Sequence, residues 1–387
     1  MKIRVPNYYK NFKCIASKCE DTCCAGWEIV IDDETCEFYK TVKGNFGDRL
    51  KKEIILDDDG ENIFMLKGDS CSFLNKNKMC DIYSELGKDN LCNTCKQYPR
   101  FIEEYGSTRE MGISLSCPEA ARIILNDSDK VKFEIEENDE MVIAYNDISF
   151  EMFIQLLKSR KIFIEILQER SIDLNKRMAL VLNFAQEIQK MVDENKISNI
   201  SEIREKYSDS KFIKKFISKL KEHEENKINK YNNVYKILEV YKGMDHINDN
   251  WPKVLKHTIS YFYETDISVE FYMDKHDRFN KYYIDKTYEY EHLMVYFIFR
   301  YLMKSVYDYD VIAKVKLAVF SYLVIKELNV VRWCDNEYKF TKNDQVDIMQ
   351  MYSKDVEHSD ENLEYLSEVF EINEIFNVKN FMIMLMN

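Results

Sequence analysis

The sequence predicts a mainly α protein: an irregular, cysteine-rich N-terminal metal domain with short strands over residues 1–125, followed by a mainly helical domain over residues 126–387. Ten of the eleven Cys, eight of the nine Gly and three of the four Pro fall between residues 1 and 118. Beyond them, apolar residues recur at the helical period. With 387 residues and 45% hydrophobic content, the chain is long enough to bury a sizeable core.

Gly and Pro punctuate turns and strained backbone, so the first third is expected to be rich in loops. WEIVID (Trp27–Asp32) and NIFMLK (Asn62–Lys67) read as short strands, with the DDDG at Asp57–Gly60 as a turn before the second. In CPEAARIIL, Cys117–Leu125, the proline suits the first turn of a helix. The turn-like NDSDK, Asn126–Lys130, marks the junction. VKFEIE and MVIAY, separated by the polar ENDE, read as a hairpin after it. Farther on, Leu174, Met178, Val181, Ala185, Ile188 and Val192 follow at steps of three and four, the spacing of one buried helix face. Phe153–Leu167, Leu293–Met303, Val311–Leu328 and Leu363–Met384 are similar. The many Tyr, Phe and Met of this part are assigned to packing.

The net charge of −13 argues against broad nucleic-acid binding, since a phosphate backbone is gripped mainly through excess Lys and Arg. MKIRVPNYYK lacks the apolar run of a signal peptide, and the run from Leu293 to Phe299 is far short of the roughly 20 residues that span a bilayer. The expectation is a soluble cytoplasmic protein with no membrane partner, whose thiols stay reduced. The sequence contains no HExxH, no P-loop, no GxSxG and no GxGxxG after a strand.

Thiols grouped at short spacing in a reducing compartment are most simply metal ligands. Cys36 and Cys334 stand alone and read as buried bystanders. Structural zinc favours paired C-x2–4-C knuckles, and only Cys92-x2-Cys95 is a tight one. The adjacent Cys23 and Cys24 cannot easily aim both side chains at one small ion; a larger cluster or two neighbouring centres suits them better. Iron–sulfur clusters accept varied spacings, so both metals stay open with a lean towards iron. A CxxxCxxC radical motif beginning at Cys19 fails at Gly26, where it needs a third cysteine.

FKCIASKCEDTCCAGW (Phe12–Trp27), CSFLNKNKMCDIY (Cys71–Tyr83), LCNTCKQYPR (Leu91–Arg100) and SLSCPEAAR (Ser114–Arg122), in that order, resemble the flagellin lysine N-methylase family. That family is related to small cysteine-rich proteins described as iron- or zinc-chelating. The resemblance implies methyl transfer from S-adenosylmethionine to lysine ε-amines of flagellin, with an iron–sulfur cluster of the 4Fe-4S type in the cysteine-rich domain and zinc as the alternative metal. Carried over position by position, the metal-site candidates are Cys14, Cys19, Cys23, Cys24, Cys71, Cys80, Cys92, Cys95 and Cys117. Nine exceed the needs of one cubane, so either two centres exist or several thiols are neighbours of the ligands.

Methyl transfer requires an uncharged amine, and lowering a lysine pKa from about 10.4 to 7 corresponds to roughly 4.6 kcal/mol. Asp21, Tyr98 and Glu119 are the catalytic candidates in the matching blocks, with Arg100 as a cofactor-binding residue able to hold a carboxylate such as that of the methionine moiety. Each also has a structural alternative: Asp21 accepting N–H groups in its loop, Tyr98 in a turn with Pro99, and Glu119 favouring a helix N-terminus. A cluster with three thiolate ligands would leave one iron open to S-adenosylmethionine. The other function class is a non-enzymatic zinc- or iron-binding protein with a helical partner-binding domain. Beyond Leu125, 47 acidic residues against 37 basic ones could attract the lysines of a substrate.

Overall fold

The computed structural model describes residues 1–140, 148–247, 250–264 and 267–387. Apolar side chains collect into two cores. The smaller contains Ile29, Ile31, Tyr39, Leu50, Phe64, Phe73 and Ile82 together with Cys36, Cys71 and Cys92. The larger runs from Tyr8 and Phe12 through Tyr105, Ile113 and Ala121 to Leu385.

The smaller core is enclosed by short elements. Helices Asp33–Thr41 and Gly44–Glu53 lead into the strand Ile54–Leu56, which pairs with Asn62–Phe64 across a turn at Asp57–Gly60. Leu66–Lys67 pairs with Ser70–Cys71, so the expected NIFMLK strand is divided in two. The expected strand WEIVID is not a regular strand: it contributes one isolated bridge, Val30 to Ile63, while Ile29 and Ile31 turn into the small core. Arg49 cross-braces the unit, donating to Glu53 at 2.9 Å, Asp81 at 2.7 Å and the Ser72 carbonyl at 2.6 Å.

A four-stranded sheet joins the chain start to the helical body. Strand β1 (Lys2–Pro6) lies parallel to β3 (Thr108–Ile113), which forms a hairpin with β2 (Arg100–Tyr105). On its other side β1 pairs antiparallel with β4 (Phe133–Glu137), placing Pro6 opposite Phe133. VKFEIE therefore supplies a strand, but its partner is the chain start; MVIAY lies outside the described residues. Phe101 and Gly112 face each other across the β2–β3 pair, and a Cβ at Gly112 would stand 2.2 Å from the Phe101 ring. The bare glycine lets that ring lie flat on the sheet and meet Tyr296 and Phe299.

Helix α1 (Pro118–Ile124) begins on its proline as expected, and α2 (Phe150–Leu167) follows Ser149, whose hydroxyl accepts from the Met152 N–H. In α3 (Leu174–Asp193), capped by Asp173, the predicted face is buried from Leu174 to Ile188, with Leu180, Leu182 and Phe184 buried as well. It is enclosed because α5 (Val311–Asp335) packs along it, a 25-residue helix about 37 Å long. Helix α4 (Thr287–Tyr301) covers α5 and continues as a 3-10 turn over Leu302–Lys304; α6 (Lys342–Val356) starts with a capping box of Thr341 and Asp344. The stretch expected as one segment, Leu363–Met384, is broken into Asp360–Ile372 and Val378–Met386 around a 3-10 turn. Among the described residues no helix is long and apolar enough to cross a membrane.

Sheet and helices are tied by a buried ion pair. Glu110 of β3 accepts from Arg160 of α2 at 2.6 Å and from Arg4 of β1 at 3.0 Å; the Glu110 and Arg160 side chains are each only 3% exposed. Removing one member of such a pair strands the other charge out of water. Glu110→Ala is expected to lower folding stability by about 3–5 kcal/mol, measured by urea denaturation. A loss within about 0.5 kcal/mol would show that the sheet is held without this pair.

Candidate site at the junction of the two cores

The cysteine-bearing loop from Phe12 to Trp27 crosses from the large core to the small one. Cys19 donates to the Asp21 carbonyl at 2.7 Å, and the Trp27 indole N–H donates to the Cys23 carbonyl at 2.9 Å. Gly26, at φ +90°, gives the turn a backbone that L side chains rarely adopt, beside Ile247 and Lys354. From there the Cys71 N–H donates to the Cys24 carbonyl at 2.7 Å, anchoring the loop to the small core.

On the other side the loop meets α6. The Gln350 amide nitrogen donates to the Asp21 carboxylate at 2.6 Å and to the Ser116 carbonyl at 3.1 Å. One turn on, the buried Lys354 ammonium holds the same Asp21 oxygen at 2.9 Å and lies 5.9 Å from the Trp27 ring centre. Just past the helix, His358 Nε2 sits 2.5 Å from Ser116 Oγ, which also contacts Tyr98 OH at 3.2 Å and Ser114 Oγ at 2.9 Å. Arg300 of α4 donates to Ser114 Oγ at 2.9 Å and pairs with buried Glu357 at 3.1 Å. The rings of Trp27, Tyr98 and His358 form a half-buried aromatic wall, with centroids 4.5 to 5.9 Å apart.

The thiols surround this wall. None is in a disulfide; Cys14 and Cys23 are exposed, and Cys71, Cys92 and Cys117 are buried. Burial pushes the Cys71 and Cys117 thiols each up to about 12, and the nearby thiols add to it: Cys24, Cys80 and Cys92 for the first, Cys19 and Cys14 for the second. Cys24 moves the other way, to about 7, because Cys23 hydrogen-bonds to it; Cys23 is raised by the same contact. Cys92 is likewise lowered by Cys95, and Cys95 raised. Among the described residues no three His, Cys, Asp or Glu side chains are grouped to hold a metal ion.

The structure thus places Asp21 and Tyr98 together at the junction, with Cys23 and Cys117 in charge range of Tyr98. The loop N–H groups offered as partners for Asp21 are replaced by Gln350 and Lys354 of α6. Glu119 is held 3.0 Å from Arg122, whose other arm takes Glu20, so its contacts are those of a clasp between α1 and the loop. Arg100 opens β2 with its guanidinium over the rings of Phe12 and Tyr9, 5.1 and 6.0 Å away. Trp27, Ser116, Arg300, Gln350, Lys354 and His358 were not among the sequence candidates. The available signal was the polar stripe of Gln350, Lys354 and His358 at steps of four through an apolar region. A separate cavity of about 860 Å³ is lined by Glu224, Glu225, Glu270, Asp274 and Asp277 with Lys227. It has neither thiols nor aromatic rings and is no part of the junction.

A thiol-rich unit docked through a polar seam onto a helical body defines the general class, and comparison with known proteins narrows it. Residues 160–384, which include Arg300, Gln350, Lys354 and His358, match the FliB lysine N-methylase C-terminal domain, and the chain belongs to that family. It is 31% identical over 138 residues to the flagellar biosynthetic protein FliU of Salmonella muenchen, covering 32% of this chain and 77% of that protein. It is also 31% identical over 130 residues to the lysine-N-methylases of Salmonella choleraesuis (strain SC-B67) and Salmonella typhimurium (strain LT2); in each the match spans 32% of either chain. No solved structure matches.

Burial, reinforced by the Arg300 and Lys354 cations, holds His358 down to about 3, so its ring is neutral at pH 7. The unfolded chain binds a proton at this imidazole that the folded chain refuses. Stability is therefore full above the ordinary value of 6.5 and falls as pH drops towards 3. His358→Gln is expected to flatten the stability–pH slope between about pH 6 and 4 by roughly 1.4 kcal/mol per pH unit, measured by urea titrations at each pH. Equal slopes in the two proteins would mean that the ring is not shielded.

Proposed function

We propose that this chain is a protein lysine N-methyltransferase acting on flagellin, with S-adenosylmethionine as methyl donor and a cysteine-ligated iron–sulfur cluster of the 4Fe-4S type. The observation that carries the reading is the convergence at one seam of Asp21, Tyr98, Cys23 and Cys117 from the cysteine-rich part with His358 from the family-matched part. Flagellin as substrate is supported by the flagellar name of one relative and the lysine-N-methylase name of two others.

The donor chemistry suits a thiolate-held centre, though no three of these side chains are gathered around one point among the described residues. Ten free thiols lie in the unit and at its edge, and the smaller core has only seven buried apolar residues besides its cysteines, the situation in which small units rely on a metal staple. Two thiolates on one zinc stand about 3.8 Å apart, given Zn–S near 2.3 Å and tetrahedral geometry. Iron–sulfur clusters accept varied spacings of their cysteines along the sequence, which is the ground for iron over zinc here. When bound, S-adenosylmethionine supplies the methyl group on a sulfonium.

The chain's own residues then have defined tasks. The Trp27 and Tyr98 rings offer π faces to an ammonium or sulfonium at the half-exposed wall. The Asp21 carboxylate, 39% exposed, stands where it can orient the incoming amine while Lys354 and Gln350 fix its other contacts. The neutral His358 ring adds no charge against the cation. Desolvation against the aromatic wall supplies part of the roughly 4.6 kcal/mol needed to uncharge the lysine.

The test is anaerobic incubation of the full chain with purified flagellin and methyl-labelled S-adenosylmethionine, read by peptide mass spectrometry. Label on lysine side chains is expected, with Tyr98→Phe reducing the rate about tenfold or more through the loss of one junction hydroxyl. Metal-loaded protein that leaves flagellin unlabelled would defeat the transferase reading and favour a non-enzymatic metal-binding protein.

A further inference from the structure

Transfer to a lysine needs a base for the ammonium proton, and the junction groups described above do not offer one. Tyr98 is held well above its ordinary value by burial and keeps its proton at pH 7. The His358 ring, held down to about 3, is too weak a base to retain a proton there. Asp21 is tied to Lys354 and Gln350, and Glu119 to Arg122. We infer that His246, oriented by Asp355, is the base that takes the proton of the incoming lysine. The inference rests on the transferase half of the proposed function.

His246 lies in the loop after the 3-10 turn Val240–Gly243, inside the family-matched residues. Its Nδ1 stands 3.0 Å from the Asp355 carboxylate. An ionised carboxylate can only accept, so Nδ1 carries the hydrogen and Nε2 the lone pair. The other Asp355 oxygen accepts from the Ile247 N–H at 2.9 Å. Buried Asn362 closes the arrangement, donating to the Asp245 and Asp355 carbonyls at 2.8 and 3.0 Å and accepting from the Asp245 N–H at 2.9 Å. Loop, ring and acid are thereby locked together, while among the described residues Nε2 has no hydrogen-bond partner.

Three other histidines stand beside carboxylates, and none has this arrangement. His276 and Glu327 are both enclosed, His257 and Asp335 are both exposed, and His223 pairs an enclosed ring with an exposed acid. His246 joins a ring that is 28% exposed to an acid that is fully buried. A buried acid fixes the tautomer and steadies the imidazolium, and the open side of the ring can meet a substrate.

The ring belongs to the seam. A Cβ on Gly26 would stand 3.5 Å from both Ile247 Cγ2 and Lys354 Cε, so the His246 loop, α6 and the turn into Trp27 meet there. The charges on these elements are Asp355 and Lys354 of α6, Asp245 in the loop itself, and Asp21, which is paired to Lys354. The proton passes from the lysine ammonium to Nε2, giving an imidazolium against Asp355. The freed amine pair forms the carbon–nitrogen bond to the methyl of S-adenosylmethionine, while the carbon–sulfur pair leaves with sulfur and the sulfonium becomes a thioether. The product is a methylated ammonium, and His246 returns its proton to solvent.

The test is flagellin labelling by the anaerobically purified full chain with methyl-labelled S-adenosylmethionine between pH 6 and 10, beside His246→Asn. The asparagine amide can keep the hydrogen bond to Asp355 and is no base. At pH 7 kcat is expected to fall on the order of 100-fold, with flagellin KM and melting temperature near those of the parent. The deficit is expected to shrink towards about pH 10.4, where lysine sheds its own proton. A loss under about tenfold, or a deficit equal at every pH, overturns the inference. If the variant melts lower, imidazole added to His246→Ala decides: a recovered rate supports the base, and no recovery overturns it. A wild-type chain that labels no lysine overturns the transferase reading and this inference with it, whereas a labelling wild type beside an equally active variant overturns the inference alone.

Discussion

One amide group governs the geometry of the junction. The Gln350 side-chain nitrogen donates both to the Asp21 carboxylate and to the Ser116 carbonyl, joining the loop that carries Cys19 and Cys23 to the corner that carries Cys117. Gln350 is 7% exposed, so a shift of the loop along α6 would leave a buried donor without a partner, at a cost of about 1–3 kcal/mol. Lys354 doubles the constraint on Asp21 and His358 doubles it on Ser116. The relative placement of thiols from distant parts of the chain is thus set by α6, an element with no cysteine of its own.

The two cores explain why such a seam exists. The smaller has too few apolar residues to define its own surface, so polar braces such as Arg49 and contacts with the larger core must fix it. The larger core is close to self-sufficient, with α3 and α5 buried along most of their length. A lightly cored unit held against an extensively packed helical body suits the proposed site, since helices can fix the placement of donors that loops carry.

What could be read in advance follows from how local each feature is. Helix α3 was legible because its apolar spacing lies within twenty residues, and α1 because Pro118 pre-sets its first turn. WEIVID alternates like a strand, yet tertiary packing drew Ile29 and Ile31 into the small core and left one bridge. The four-stranded sheet escaped because β1 pairs with residues more than a hundred positions away, and a parallel partner leaves no hairpin signal. At the site, the cysteine blocks were visible as spacing, and Asp21 and Tyr98 lay inside them. Gln350, Lys354 and His358 were not visible, because a polar residue every fourth position on a helix normally marks a solvated face and only the docked loop turns that face inward.

Charge ties these parts together. At the junction the two buried cations are each matched by one acid, Lys354 by Asp21 and Arg300 by Glu357, so no net positive charge is left to hold several thiolates. Cys71 and Cys117, at about 12, keep their protons at pH 7, and thiolate character is confined to whichever partner of a pair receives a hydrogen bond, as Cys24 does from Cys23. A metal held by these thiols, as proposed, would reverse that balance, because its charge would offset the desolvation of several thiolates together and expel their protons. Folding of the smaller core, thiol ionisation and completion of the junction would then be one linked equilibrium. On that reading the unit's scarcity of apolar surface would be the counterpart of a centre that contributes its own cohesion.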